Sequence, residues 1–179
     1  MGNYAGFQQA VPAAKIKLSG EELHGFFKSV SDQYSMDQVT FLCIGTDRST
    51  GDSLGPLTGS RLLEYGFPNV IGTLPDPCDA CNLESKLKEI PKESIIIAID
   101  ACLGQPSSVR FYFGSQGPLH PAQSVGTSLP AVGHYSVAAV VNVQGPKPYW
   151  TLQVTSLYLV MTMAEQIAHA AASAFGLSA

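Results

Sequence analysis

The sequence is short of charge: only 13% of its 179 residues are Asp, Glu, Lys or Arg, and the formal net charge is −4. Without a basic excess there is no field to recruit nucleic acid, so no direct nucleic-acid partner is expected. No apolar run reaches the roughly 18–20 residues of a membrane span, so no membrane partner is expected either. The start, MGNYAGFQQA, has neither the basic nor the apolar part of a signal peptide. Gly6 stands where a myristoylation motif has Ser or Thr. Four cysteines, Cys43, Cys78, Cys81 and Cys102, are too few for a disulfide scaffold of this length. These absences point to a cytoplasmic protein. They also leave much uncharged surface, which gives room for a homo-oligomer.

What is present is a globular composition, 45% apolar, on a chain long enough for one domain and short for two. Residues 1–17 are small, polar and unpatterned, and are expected to form a flexible N-terminal segment ahead of a single domain over 18–179. Ser19 and Glu22 have capping-box spacing and open a helix to about Gln33. Val39 to Ile44 reads as a short buried strand. Gly45 ends it, and a polar loop carrying Asp47, Arg48 and Asp52 leads to a helix from Gly55 and Pro56 to Tyr65. Asn69 to Leu74 is expected as a second strand, and Leu83 to Ile90 as a short helix behind Asn82.

Ser94 to Asp100, SIIIAID, is apolar without alternation, as in a strand covered on both faces. Val109 to Phe113 reads as another strand, at an edge. Gly114 to Gly133 is rich in Gly and Pro, a long loop of the kind that serves as lid or binding segment. His134 to Val143 fits either a strand or a short helix, and Tyr149 to Val154 reads as a strand. Thr155 or Ser156 caps a long final helix whose inner stripe is Leu157, Val160, Met161, Ala164, Ile167, Ala168, Ala171 and Phe175. This order predicts an α/β protein, a three-layer α/β/α sandwich with a mostly parallel central sheet.

Asp52 leaves the end of the first strand and Asp100 ends the SIIIAID strand. In a parallel sheet those ends point the same way, so the two carboxylates can converge on one crevice. Such a pair can share a proton and activate water, or hold a divalent metal that does so. The competing reading is that each aspartate merely caps the next helix. His134, after the long loop, could complete a metal site with Asp52 and Asp100 or move protons, although a lone His is more often a cap or a surface residue. Asp47 is a second accessory candidate. Gly45 and Gly51 suggest a phosphate loop, but no Gly-Lys-Ser/Thr ending and no GxGxxG follow the strand. Cys78 and Cys81 form one C-x-x-C pair, too few ligands for zinc and without the helix-start context of a redox pair.

The segments CIGTDRSTGDSLGPLTGSRL, the strand ending at Asp100 and the helix LYLVMTMAEQIA resemble the YyaC-type sporulation proteins. Those are small relatives of the spore germination protease, and both resemble the hydrogenase-maturation endopeptidases. The likeness covers about Gln38 to Ala172. It implies a phosphorylase/hydrolase-like fold and a peptidase acting on peptide or spore-protein substrates, in the cytoplasm or forespore. The germination protease's proposed catalytic aspartates fall on Asp52 of TGDSLGP and Asp100 of IDACLG. The endopeptidases' acidic metal ligands fall on the same places, and their later His has a counterpart by chain order in His134. A divalent metal is therefore the one candidate cofactor. The sequence departs from these families at Asp47, where they usually carry Asn, and in lacking a propeptide-like segment. A catalytically silent binding module and a small-molecule or nucleoside hydrolase are the alternatives.

Overall fold

Continuous apolar strands bury both faces, and here they assemble into a six-stranded sheet of order β1-β5-β6-β4-β2-β3 in the computed structural model, which describes residues 14–121 and 129–178. The strands are β1 (Ile16–Leu18), β2 (Val39–Cys43), β3 (Val70–Ile71), β4 (Ile95–Gly104), β5 (Tyr112–Ser115) and β6 (Tyr135–Val143). Pairings among β6, β4, β2 and β3 are parallel, and β5 alone runs against the rest. The mostly parallel sheet flanked by helices is the expected fold class.

The two faces are covered unequally. On one lie α1 (Leu23–Ser31), α2 (Leu54–Glu64) and α5 (Leu157–Ala174), packed on a core that includes Phe27, Phe41, Leu54, Leu62, Ile97, Ile99 and Ile167. Phe41, Phe67 and Phe175 meet edge to face within it. The other face is thinner. The short α3 (Leu83–Leu87) and the bridge between Leu119 and Val132 cover Leu42, Ile44, Ile96 and Ala98 there. A further short helix, α4 (Pro148–Gln153), sits near the carboxyl ends of the strands.

Several expectations change. Residues 1–13 of the expected flexible segment lie outside the described residues, but Ile16 and Lys17 join the sheet as β1 by pairing with Phe113 and Gly114. β4 runs four residues past Asp100, because Asp100 to Gly104 keep a partner in β6. His134 to Val143 resolves as strand for Tyr135–Val143, where β-branched valines are buried on both faces. Tyr149 to Val154 is mostly helix rather than strand. Pro148, with its fixed φ, takes the first helical position and outweighs the aromatic preference for strand. In α5 the buried stripe runs through Val160, Met163, Ala164 and Ile167, while Leu157 and Met161 are exposed. No helix among the described residues is long and apolar enough to cross a membrane.

Candidate functional site

β2 stops one residue before β4 reaches its first carboxylate. Cys43 pairs with Ile99, and the Ile44 N–H donates to the Ile99 carbonyl at 2.7 Å. Asp100 is thus the first β4 residue beyond the β2 pairing, and a crevice opens there. The chain leaves β2 through α2 toward β3 on one side, whereas β4 neighbours β6 on the other. Connections that diverge at adjacent parallel strands make a topological switch point, the usual ligand site of such sheets. The β4–β6 register shifts at Cys102/Leu103, an irregularity common beside functional sites.

The β2–α2 loop carries Asp52 back over this point. Gly45 has φ +149°, and its N–H donates to the Cys78 carbonyl at 2.8 Å. A Cβ at Gly45 would lie 2.0 Å from the Asp52 carbonyl oxygen, and one at Gly55 would lie 2.0 Å from that of Ile44. Only glycine allows the loop to fold this tightly at both places. The Thr46 N–H closes it by donating to the Asp52 carbonyl at 3.1 Å, and the Ser53 N–H donates to that of Ser49 at 3.0 Å. Asp52 therefore sits in the short turn Gly51–Ser53 that runs into α2, and no side chain caps either that turn or α2. The helix-cap reading of Asp52 is not what the fold uses.

Burial, then the nearby charge of Asp52, hold the Asp100 carboxyl well above the ordinary carboxylate value. The Ala101 N–H, donating to Asp100 Oδ1 at 2.8 Å, offsets only part of this. Burial also raises Asp52, and the buried Ser49 hydroxyl beside it acts in the opposite direction. The nearest loop cation is engaged elsewhere, since Arg48 pairs with Asp79 at 2.9 Å. Two carboxyl groups whose proton affinities are raised together can share one proton, with Asp100 as its holder.

The two accessory candidates stand apart. Asp47 is exposed on the loop and is not part of the cleft wall described below. His134 lies at the opposite end of the sheet. Its N–H donates to the Ile96 carbonyl at 2.8 Å, and its Nδ1 accepts from the Ile96 N–H at 3.0 Å. Asp100 pairs with Ala138, four residues along β6 and therefore on the order of 13 Å away at the strand rise. Acceptance at Nδ1 requires that atom to be unprotonated, consistent with a pKa lowered by burial. Among the described residues no three His, Cys, Asp or Glu side chains group as metal ligands. His134 therefore does not join Asp52 and Asp100 as a third ligand, and the two carboxyl groups are the donors that the expected set leaves at this end of the sheet.

A cleft of about 460 Å³ reaches Asp100 from the thinner face. Lys15, Cys102, His120 and Gln144 line it beside Phe113 and Leu119. Asp52 is not in its wall, so the cleft meets the pair through Asp100. Lys15, His120 and Gln144 were not legible as site residues, because they come from three distant points of the chain. Burial and the charge of Asp100 push the Cys102 thiol up to about 12. Of the C-x-x-C pair, Cys78 is buried beside the end of β2, bridged to Ile44, with its thiol also raised to about 12, and Cys81 is exposed; all four cysteines are free. The contribution of Cys78 is its carbonyl, which holds Gly45.

Comparison with known proteins agrees with this architecture. The family model described as "Protein of unknown function (DUF1256)" matches residues 14–170. The "Uncharacterized protein YyaC" of Bacillus subtilis (strain 168) is 45% identical over 135 residues, covering 73% of this chain. The match spans 66% of that relative's own length. Among solved structures, the [NiFe] hydrogenase maturation protease HycI from Thermococcus kodakarensis KOD1 superposes with a TM-score of 0.50 at 14% identity. That alignment covers 83% of this chain and 99% of the other. At this identity the likeness is one of fold.

Proposed function

The chain belongs to the DUF1256 family, and from that premise we propose that it is a peptidase in which Asp52 and Asp100 activate water for peptide-bond hydrolysis. The observation that carries the proposal is the partly buried carboxyl pair at the switch point of the sheet, where the Asp52 charge adds to burial in holding the Asp100 proton. As a purely structural device such a pair is costly, because burial disfavours charge and the two groups repel. As an acid–base pair it is useful, because one proton is held close to where a water can be activated.

In this mechanism Asp52 is the carboxylate and Asp100 the acid. Asp52 accepts a proton from water as the water oxygen bonds to the peptide carbonyl carbon. Asp100 gives its proton to the carbonyl oxygen, so that no free oxyanion forms. On collapse the C–N bond breaks, the amine leaves with the proton held by Asp52, and one diol hydroxyl returns a proton to Asp100. The pair ends as it began. Lys15, His120 and Gln144 face the cleft from which substrate would approach.

The sporulation or germination setting, with spore proteins as substrates in the cytoplasm or forespore, rests on the resemblance of the TGDSLGP and IDACLG segments. A small-molecule hydrolase is the second reading. It is favoured by the cleft itself, whose volume falls in the range of about 300–1,000 Å³ typical of small-ligand pockets.

The test is to incubate protein extract from a spore-forming cell with purified wild-type chain or with Asp52→Asn and to compare the new peptide N-termini. Ends that arise with wild type and vanish with the near-isosteric variant are the expected result. Identical sets of ends from both proteins would refute the peptidase reading.

A further inference from the structure

We infer that the outer face of α4 and the first turns of α5 bind a second copy of this chain. From Pro148 to Ala164 the sequence carries no charged residue. Tyr149, Trp150, Val154, Leu157, Tyr158 and Met161, all within that stretch, are each more than half exposed, Tyr158 reaching 82%. They come from two consecutive helices and, for Val154, from the short turn between them. Their partners inward are already chosen: Leu152, Val160 and Met163 fill the core from the same two helices. Among the described residues the outward set has no such role.

Size decides between scattered apolar residues and an interface. With about 150–250 Å² for a whole aromatic side chain, these six expose on the order of 600 Å² of apolar surface. The largest patch on an ordinary monomer is about 300–600 Å², and a stable complex buries about 800 Å² per partner. The patch therefore supplies most of one side of a dimer interface. Its chemistry matches too, since interface cores are enriched in Tyr, Trp and Met and depleted in charge. An uncharged face can meet its own copy across a twofold axis without like-charge repulsion, which makes a second copy the fitting occupant.

The surface is independent of the proposed chemistry, because none of the six lines the Asp100 cleft. It is structurally near it, however. Leu152 of α4 is the side chain that a Cβ at Gly51 would strike, so α4 backs the turn holding Asp52.

Sedimentation velocity of the full chain at micromolar concentration tests the inference against the double variant Trp150→Glu/Tyr158→Glu. All changed side chains are exposed, and circular dichroism checks that the fold persists. The expected result is a wild-type dimer whose dissociation constant rises by about tenfold or more in the variant, the loss typical of removing interface anchors. Leu63→Glu, at an exposed leucine on α2 outside the patch, is expected to dimerise as wild type does. A wild-type monomer overturns the inference, including one that binds lipid vesicles or an apolar peptide instead. So does a dimer that survives the double variant.

Discussion

The two ends of β4 carry polar groups in opposite circumstances. At the amino end His134 and Ile96 exchange backbone and ring hydrogen bonds, and the buried hydroxyls of Thr40 and Ser94 bond each other at 2.7 Å. Polarity there is matched by partners and serves register. At the carboxyl end Asp100 gains one backbone N–H while burial and the Asp52 charge oppose its ionisation. Polarity there is costly, and a glycine-dependent loop maintains it. His134, with its hydrogen bonds made, is a structural residue, whereas at the other end the charge of Asp52 adds to the cost of ionising Asp100.

The largest expected effect is on hydrolysis. Asp52→Asn or Asp100→Asn should lower its rate by about 10²–10⁴-fold, the usual worth of a general acid or base, while the circular dichroism spectrum stays unchanged. The wild-type rate should rise with pH as Asp52 ionises and fall again as Asp100 ionises. A monotonic profile would break the division of roles.

Next is the loop. Gly45→Ala forces a Cβ against the Asp52 carbonyl oxygen, and should cost on the order of 3 kcal/mol from strain and overpacking together. Chemical denaturation reads this directly. Ordinary stability in the variant would mean that the loop can relax without its tight form.

The carboxyl pair should also leave a signature in stability against pH. Asp100 has a raised folded pKa, so the folded state holds the proton longer than the unfolded chain does. Its contribution is fully present below the unfolded carboxylate value and is lost as pH rises toward the folded one. In that window the slope should approach about −1.4 kcal/mol per pH unit for one proton. Asp100→Asn should flatten it and be the more stable protein at neutral pH. The smallest effect belongs to the other end. His134→Ala removes the acceptor of the Ile96 N–H and should cost about 1 kcal/mol, with hydrolysis unchanged. A loss of activity there would erase the contrast between the two ends.

That Asp52 and Asp100 lie at the same end of two adjacent parallel strands was legible, because each follows or ends a strand in a βαβ order, and parallel strands send their ends the same way. His134 was misplaced because order along the chain does not say which end of a strand a residue occupies. It precedes β6 rather than following it. The short helix at Pro148 was hidden by aromatic residues whose strand preference yielded to the proline. Lys15, His120 and Gln144 left no local signal at all, since a cleft built from an edge strand, a loop and a strand terminus exists only after folding. The exposed face of Leu157 and Met161 was misread for a related reason. Periodicity shows that a helix has an apolar stripe, but here apolar residues continue beyond the stripe that the core can take.

The most direct test of the coupled pair is a carbon-13 NMR titration of the Asp100 carboxyl in wild type and in Asp52→Asn. The account predicts that Asp100 titrates well above the ordinary carboxylate range and moves down when the Asp52 charge is removed. An Asp100 that titrates at the ordinary value, and does so alike in both proteins, would contradict it.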